Sequence, residues 1–163
     1  MGTLTRRGTR QDVPPPPGAV VHLRKIKAND HLVCVVLSKL WEGFNTHYYD
    51  GRTHIHIDEK KMCEGCKKKR KLLWYGYLHV CSADLTQNFL IAINPNGADR
   101  LEKLQGDKDS IRGMRIETYR ENNYAKGALV IEPLGWIEPS VKLPLPKSAV
   151  PTLERLWNCV LTD

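Results

Sequence analysis

Cys63 and Cys66 bracket Glu64 and Gly65. Two thiolates at that spacing in a tight turn converge on one point, and the intervening glycine lets the backbone bend around it. Histidines stand close by, at His47, His54 and His56, and the basic run Lys67-Lys68-Lys69-Arg70-Lys71 follows directly. Mixed thiolate and imidazole ligation suits zinc in a closed tetrahedral shell, which leaves no open position for a reactive water. The metal expected here is therefore structural zinc. Cys63 and Cys66 are its first ligands and His56 its third. The fourth place falls to His47, reaching across from beyond the Asp50-Gly51 turn, or to His54, which shares a strand face with His56. His79 and Cys81 would serve only if the next strand ran past the site.

A catalytic zinc would need further residues. Nucleobase deaminases place a His-x-Glu ahead of their cysteine pair. The corresponding stretch here reads His54-Ile55-His56-Ile57-Asp58-Glu59, and no His-x-Glu occurs in the chain. Nucleases of the His-Asn-His type surround their catalytic histidine with two Cys-x-x-Cys knuckles, and this chain has one. No catalytic residues are assigned. No P-loop or glycine-rich nucleotide fingerprint is present either.

The elements around the cysteine pair read as mainly β with two helices. Residues 1–18 carry Arg6, Arg7 and Arg10 and end in Pro14-Pro15-Pro16-Pro17-Gly18, the composition of a disordered or polyproline II lead-in. Apolar alternation then predicts strands over Ala19–Ile26, His31–Lys39, Leu72–Cys81 (with Gly76 as a bulge), Asn88–Ile93, Ile111–Arg120 and Ala128–Glu132. Trp41–Asp50 reads as a strand or turn laced with aromatics. Asn94-Pro95 is a helix start, Ala98, Leu101 and Leu104 share a face, and Gly106 stops the helix. A proline-rich link leads to a last helix over Thr152–Leu161 with Leu153, Leu156, Trp157 and Val160 on its apolar stripe. Taken from residue 31, the order is that of a five-stranded oligonucleotide-binding (OB) barrel over residues 19–138. The metal knuckle, at about 47–71, is then inserted between the first and second strands, and residues 139–163 form the link and C-terminal helix.

Charge points to a polyanion. The 163 residues carry 25 Lys+Arg against 18 Asp+Glu, a formal net charge of +7, and such a balance attracts phosphates over long range. The five cysteines include only one closely spaced pair, with Cys34 and Cys159 reading as buried thiols, so a reduced, intracellular setting (cytoplasm or nucleoid) is expected. The N-terminal stretch lacks the apolar core of a secretory signal. No apolar run approaches the roughly 18 residues that a membrane span needs.

Single strands are held by a basic groove with aromatic rings on which bases stack. Trp74, Tyr75 and Tyr77 on one strand are the candidate rings, with Phe89 on its neighbour. One alternating set lines the core and the other faces out. Lys67, Lys68, Lys69, Arg70 and Lys71, with Arg112, Arg115 and Arg120 on a later strand, are the candidate phosphate ligands. Knuckle, charge and rings together resemble the zinc-bearing OB-fold single-strand-binding proteins of the phage helix-destabilising type, a resemblance covering about residues 31–135. It implies single-stranded DNA, bound with little sequence preference. Two rival readings remain: a non-catalytic subunit of a larger nucleoprotein complex, docking or self-associating through 152–161, and a zinc-dependent nuclease or deaminase.

Overall fold

A computed structural model of the chain describes residues 3–4, 21–157 and 161–162. In chain order its elements are β1 (Thr3–Leu4), β2 (His22–Leu23), β3 (His31–Val36), β4 (Glu42–Tyr49), β5 (Arg52–Ile55), α1 (Glu64–Lys67), β6 (Leu73–Ser82), β7 (Asn88–Ile93), α2 (Pro95–Gln105), β8 (Met114–Arg120), a 3₁₀ turn (Glu121–Asn123), β9 (Leu129–Trp136), α3 (Val150–Trp157) and β10 (Leu161–Thr162). Apart from β1, which pairs with β10, the expected tail over 1–18 lies outside the described residues. So does Cys159, together with the rest of 158–160 in the expected last helix. No helix among the described residues is long and apolar enough to cross a membrane.

The chain forms two compact units. One holds Val21–Trp41 and Gly76–Lys147, the other Glu42–Tyr75 with the C-terminal segment from Ser148 and the N-terminal residues. The strands follow the order β2-β7-β6-β3-β8-β9, with β4 pairing to β5 and β6. The β3–β6, β3–β8, β4–β5, β6–β7 and β8–β9 pairings are antiparallel, and β2 runs parallel to β7.

The expected closed barrel is replaced by an open, mixed sheet. Closure would require β7 to meet β9, but the outer edge of β7 is taken by β2, His22 opposite Phe89 and Leu23 opposite Leu90. Of the predicted strand over 19–26, Ala19 and Val20 lie outside the described residues, and among Val21–Ile26 only His22 and Leu23 form strand. Gly76 makes no bulge; it is buried and pairs directly with Ile93. The register shift falls instead between Arg115 and Ile116, which face Gly135 and Pro133. Leu134 is the extra residue on β9 and is 44% exposed.

Local signals place α2 as predicted. The Asn94 side chain accepts from Gly97 N at 2.8 Å, satisfying one orphan donor of the first turn, and Pro95 opens the helix. Asn94 Nδ2 also donates to Leu129 O at 2.7 Å, joining the helix start to β9. Leu101 is fully buried, alongside Leu78, Ile91, Ile111, Met114, Ile116 and Ile131.

In the other unit the Asp50-Gly51 turn closes the β4–β5 hairpin with Tyr49 opposite Arg52. Both turn residues have positive φ, 52° and 73°, as a two-residue hairpin loop demands. The stripe of α3, Leu153, Leu156 and Trp157, is buried. Trp157 meets Phe44 at 6.3 Å and Tyr75 at 5.6 Å between ring centroids, both edge-on. Burial of such a ring contributes roughly 3 kcal/mol. The exposed Lys67–Glu64 pair at 3.0 Å is worth only a few tenths.

Arg112 shows how the first unit holds its irregular segment. Its guanidinium donates to Leu37 O at 2.6 Å, Leu143 O at 3.3 Å and Pro144 O at 2.9 Å, pinning the proline-rich link to the end of β3. Removing a charged donor from such carbonyls leaves them desolvated and unpaired. Arg112→Ala is expected to lower unfolding free energy by about 2–3 kcal/mol in urea denaturation, whereas Arg115→Ala, at an exposed position, shifts it by about 0.5 kcal/mol or less. Equal effects of the two substitutions would refute the pinning role.

Candidate metal centre

Hydrophobic burial cannot order the loop that carries the cysteine pair. Between Ile57 and Leu72 only Cys63 and Gly65 are buried. The loop is instead a sequence of backbone turns: Met62 N donates to Glu59 O at 2.8 Å, Lys67 N to Cys63 O at 3.0 Å and Arg70 N to Gly65 O at 2.9 Å. These turns aim both cysteines inward, towards the β4–β5 hairpin of the same unit.

Four side chains meet there: His47, His56, Cys63 and Cys66 offer one donor atom each, all within 4.8 Å of one another. His47 Nε2 lies 3.5 Å from Cys66 Sγ, and His56 Nδ1 lies 3.6 Å from Cys63 Sγ and 3.5 Å from Cys66 Sγ. Metal–sulfur bonds of about 2.3 Å and metal–nitrogen bonds of about 2.0 Å give tetrahedral sulfur–nitrogen edges of about 3.5 Å. The nitrogen–nitrogen separation of 3.0 Å is somewhat tighter than the corresponding edge of about 3.3 Å. The donor set therefore fits a tetrahedral divalent ion.

The surroundings of the donors point the same way. His47 Nδ1 faces Arg70 O at 2.9 Å and Lys71 O at 3.2 Å. Carbonyls only accept, so Nδ1 carries the proton and Nε2 presents its lone pair to the centre. His56 Nε2 has the Asp58 carboxylate at 3.8 Å. Burial, then the nearby His47, hold His56 below the ordinary histidine pKa, which favours the neutral ligand form. Burial pushes the Cys63 thiol up, but backbone hydrogen bonds with Ile57, Cys66 and Gly65, and one with the Cys66 side chain, outweigh it and bring the group below its usual value. Cys66 is raised by burial and by its thiol partner, as expected when one proton is shared between two close sulfurs.

Of the two histidines contesting the fourth place, His47 takes it. His54 sits opposite His47 in the hairpin register, but its ring stacks on Tyr49 at 3.9 Å, with Nε2 against Tyr49 O at 3.2 Å. His56 lies one residue past the end of β5, and its backbone N bonds Asn45 O at 2.8 Å. Gly65 matters for a reason its sequence does not show: a Cβ there would lie 2.3 Å from the His47 ring. His79 and Cys81 are buried in the other unit and take no part.

The candidate nucleic-acid ligands divide. Lys67 to Lys71 are all exposed. Lys67 reaches Glu64 at 3.0 Å, and Lys68 lies 4.0 Å from Asp50 and 5.7 Å from the centre of the Tyr49 ring. Trp74 is half-buried over Gly43, and Tyr75 is half-buried against Trp157. Tyr77 is 2% exposed and belongs to the core, so it offers no face to a base. Phe89 is likewise buried. Arg112 is committed to three carbonyls, and Arg120 donates to Ile26 O at 3.0 Å and Gly127 O at 3.3 Å. Both staple backbone rather than project to solvent; Arg115 alone of that group is exposed. Sequence reading missed the Arg70 and Lys71 carbonyls that orient His47, since a backbone acceptor has no residue-type signature.

Comparison with protein-family models, with curated proteins and with solved structures finds no match for this chain.

The centre is expected to hold one divalent ion per chain by elemental analysis of purified protein. Cys66→Ser and Gly65→Ala should each weaken retention at least tenfold in competition with a chromophoric chelator, the first by losing a thiolate and the second by displacing His47. His54→Ala should retain the ion as the parent does. Loss of the ion in His54→Ala with retention in His47→Ala would overturn the ligand assignment.

Proposed function

We propose that the chain is a zinc-stabilised nucleic-acid-binding protein whose metal loop presents a basic surface to single-stranded DNA with little sequence preference. The observation that carries this reading is the double engagement of His47. One ring nitrogen faces the cysteines, and the other holds the carbonyls of Arg70 and Lys71. The metal thereby fixes the position of the basic run, five exposed cations on a loop with no apolar support of its own. Zinc is the ion this donor set suits, two thiolates and two neutral imidazoles in a closed tetrahedron with structural rather than catalytic character.

Phosphates are the natural counter-charge to Lys67 through Lys71, since contacts of this type neutralise backbone without reading sequence. Trp74, half-buried and on the strand that follows the run, and Tyr48, 55% exposed on β4, are the rings of this unit open to a base. The strand adjacency β7-β6-β3-β8-β9 supports an OB-like ancestry, being that of an OB barrel opened between its third and fifth strands. The partner is read from the charge and the rings, and the basic staples Arg112 and Arg120 are left out of it.

The test is a salt titration of affinity for labelled oligothymidine and for a duplex of the same length. Affinity for the single strand should be higher and should fall steeply with salt. The double variant Arg70→Ala/Lys71→Ala, which preserves the carbonyls that His47 uses, should reduce the logarithmic salt slope by about 1.4. Metal-stripped protein should bind at least tenfold more weakly although every lysine remains. Salt-independent binding, or equal affinity with and without the metal, would refute the proposal.

A further inference from the structure

The turn between β8 and β9 is closed by a set of backbone hydrogen bonds around one exposed ring. Asn122 and Asn123 both adopt left-handed backbone, with φ of 55° and 53°. The loop is closed by Glu121 N to Ala128 O at 2.9 Å, Tyr124 N to Glu121 O at 3.3 Å and Gly127 N to Tyr124 O at 2.8 Å. Gly127 admits no side chain, since a Cβ would lie 2.3 Å from Glu121 O. From β3, His31 Nε2 bonds Asn123 Oδ1 at 3.2 Å. The product of these constraints is Tyr124, 59% exposed, in a unit where Tyr77 and Phe89 are 2% and 5% exposed. A ring costs free energy to leave in water, and ordering its support costs more.

Charge is gathered at the same place. The Arg120 guanidinium donates to both Ile26 O and Gly127 O, so it ties the segment Arg24-Lys25-Ile26-Lys27 to the turn. Arg24, Lys25, Lys27 and Lys126 are all exposed. Three carboxylates accompany them: Glu121 on the turn, Glu117, which bonds the other nitrogen of the His31 ring at 3.1 Å, and Asp30, which accepts from Lys27 N at 2.8 Å. The four cations outnumber these. Around Tyr124 the exposed residues are Glu121, Asn122, Asn123 and Lys126, all polar, and the small Ala125 and Ala128, with no second large apolar side chain among them. A protein interface would want an apolar centre about its aromatic anchor. A single ring amid cations is what a base and its flanking phosphates require.

We propose that this turn is a second contact for single-stranded nucleic acid, in which Tyr124 stacks a base while Arg24, Lys27 and Lys126 neutralise phosphates. The assignment rests on the single-strand reading of the metal loop and adds a site in the other unit. Arg120 acts here as a positioning residue, holding the basic segment and the turn together through their backbones.

The experiment uses the full, metal-loaded chain with labelled oligothymidine, and with oligonucleotides carrying 5-iodouracil for photocrosslinking. Tyr124→Ala should weaken binding about 5- to 150-fold, and Tyr124→Phe, which keeps the π-face, should bind like the parent. Lys27→Ala/Lys126→Ala should reduce the salt slope by about 1.4. Crosslinks should map to the peptide containing Tyr124. Because Tyr124 is exposed, its variants should melt as the parent does. Parent binding that is unchanged in Tyr124→Ala, with no crosslink in residues 121–127, overturns this proposal and leaves the metal-loop reading standing. Failure of the parent chain to bind any single strand overturns both.

Discussion

The unit that carries the cysteine pair depends on one electrostatic constraint, the convergence of two imidazole lone pairs and two sulfurs on a single point. Without a cation or protons at that point the donors repel. With a divalent ion the same closeness becomes the dominant favourable term, since structural sites of this kind contribute apparent binding free energies of about 10–16 kcal/mol at neutral pH. The loop has little else. Its sixteen residues from Ile57 to Leu72 bury one thiol and one glycine, and the Trp157 cluster beside it contributes a few kcal/mol at most. Order in the basic run is therefore inherited from the centre through His47.

The basic residues illustrate how residue type underdetermines role. Arg112 and Arg120 look from their strand like phosphate ligands, yet each ends on carbonyls that no sheet ladder satisfies. A planar guanidinium with several donors suits that task, because it can serve carbonyls from separate segments at once. Lysine has a compact charge on a flexible stem, and the lysines of the metal loop stay in water. The proposed phosphate contacts are confined to cations left exposed to solvent, those of the loop that carries the cysteines and of the 24–27 and 126 positions.

Several elements are legible in the chain because a short-range rule dictates them. Asn94-Pro95 through Gly106 states both ends of α2 in capping chemistry. Asp50-Gly51 states a two-residue hairpin, and Asn88–Ile93 is a strand with the bounds its alternation predicts. That the sheet stays open was not legible. Whether a row of strands closes depends on which edge meets which, and β2, two residues long, decides that by occupying the edge of β7. The choice between the two ring sets on β6 was equally hidden, since alternation separates the faces without saying which is wet. The structure leaves Trp74 and Tyr75 half-buried and buries Tyr77.

Sequence alone determined that Cys63, Cys66 and a nearby imidazole would form a candidate metal site, because the spacing of a tight turn brings side chains together whatever surrounds it. It also determined the excess of positive charge and its clustering beside the cysteines. Tertiary structure decided the rest of the site. His47 and His54 stand opposite each other in one hairpin and are equivalent by type and spacing. The stacking of His54 on Tyr49, and the two carbonyls that turn His47 inward, separate them. Those interactions join residues distant in the chain, and only packing brings them within reach.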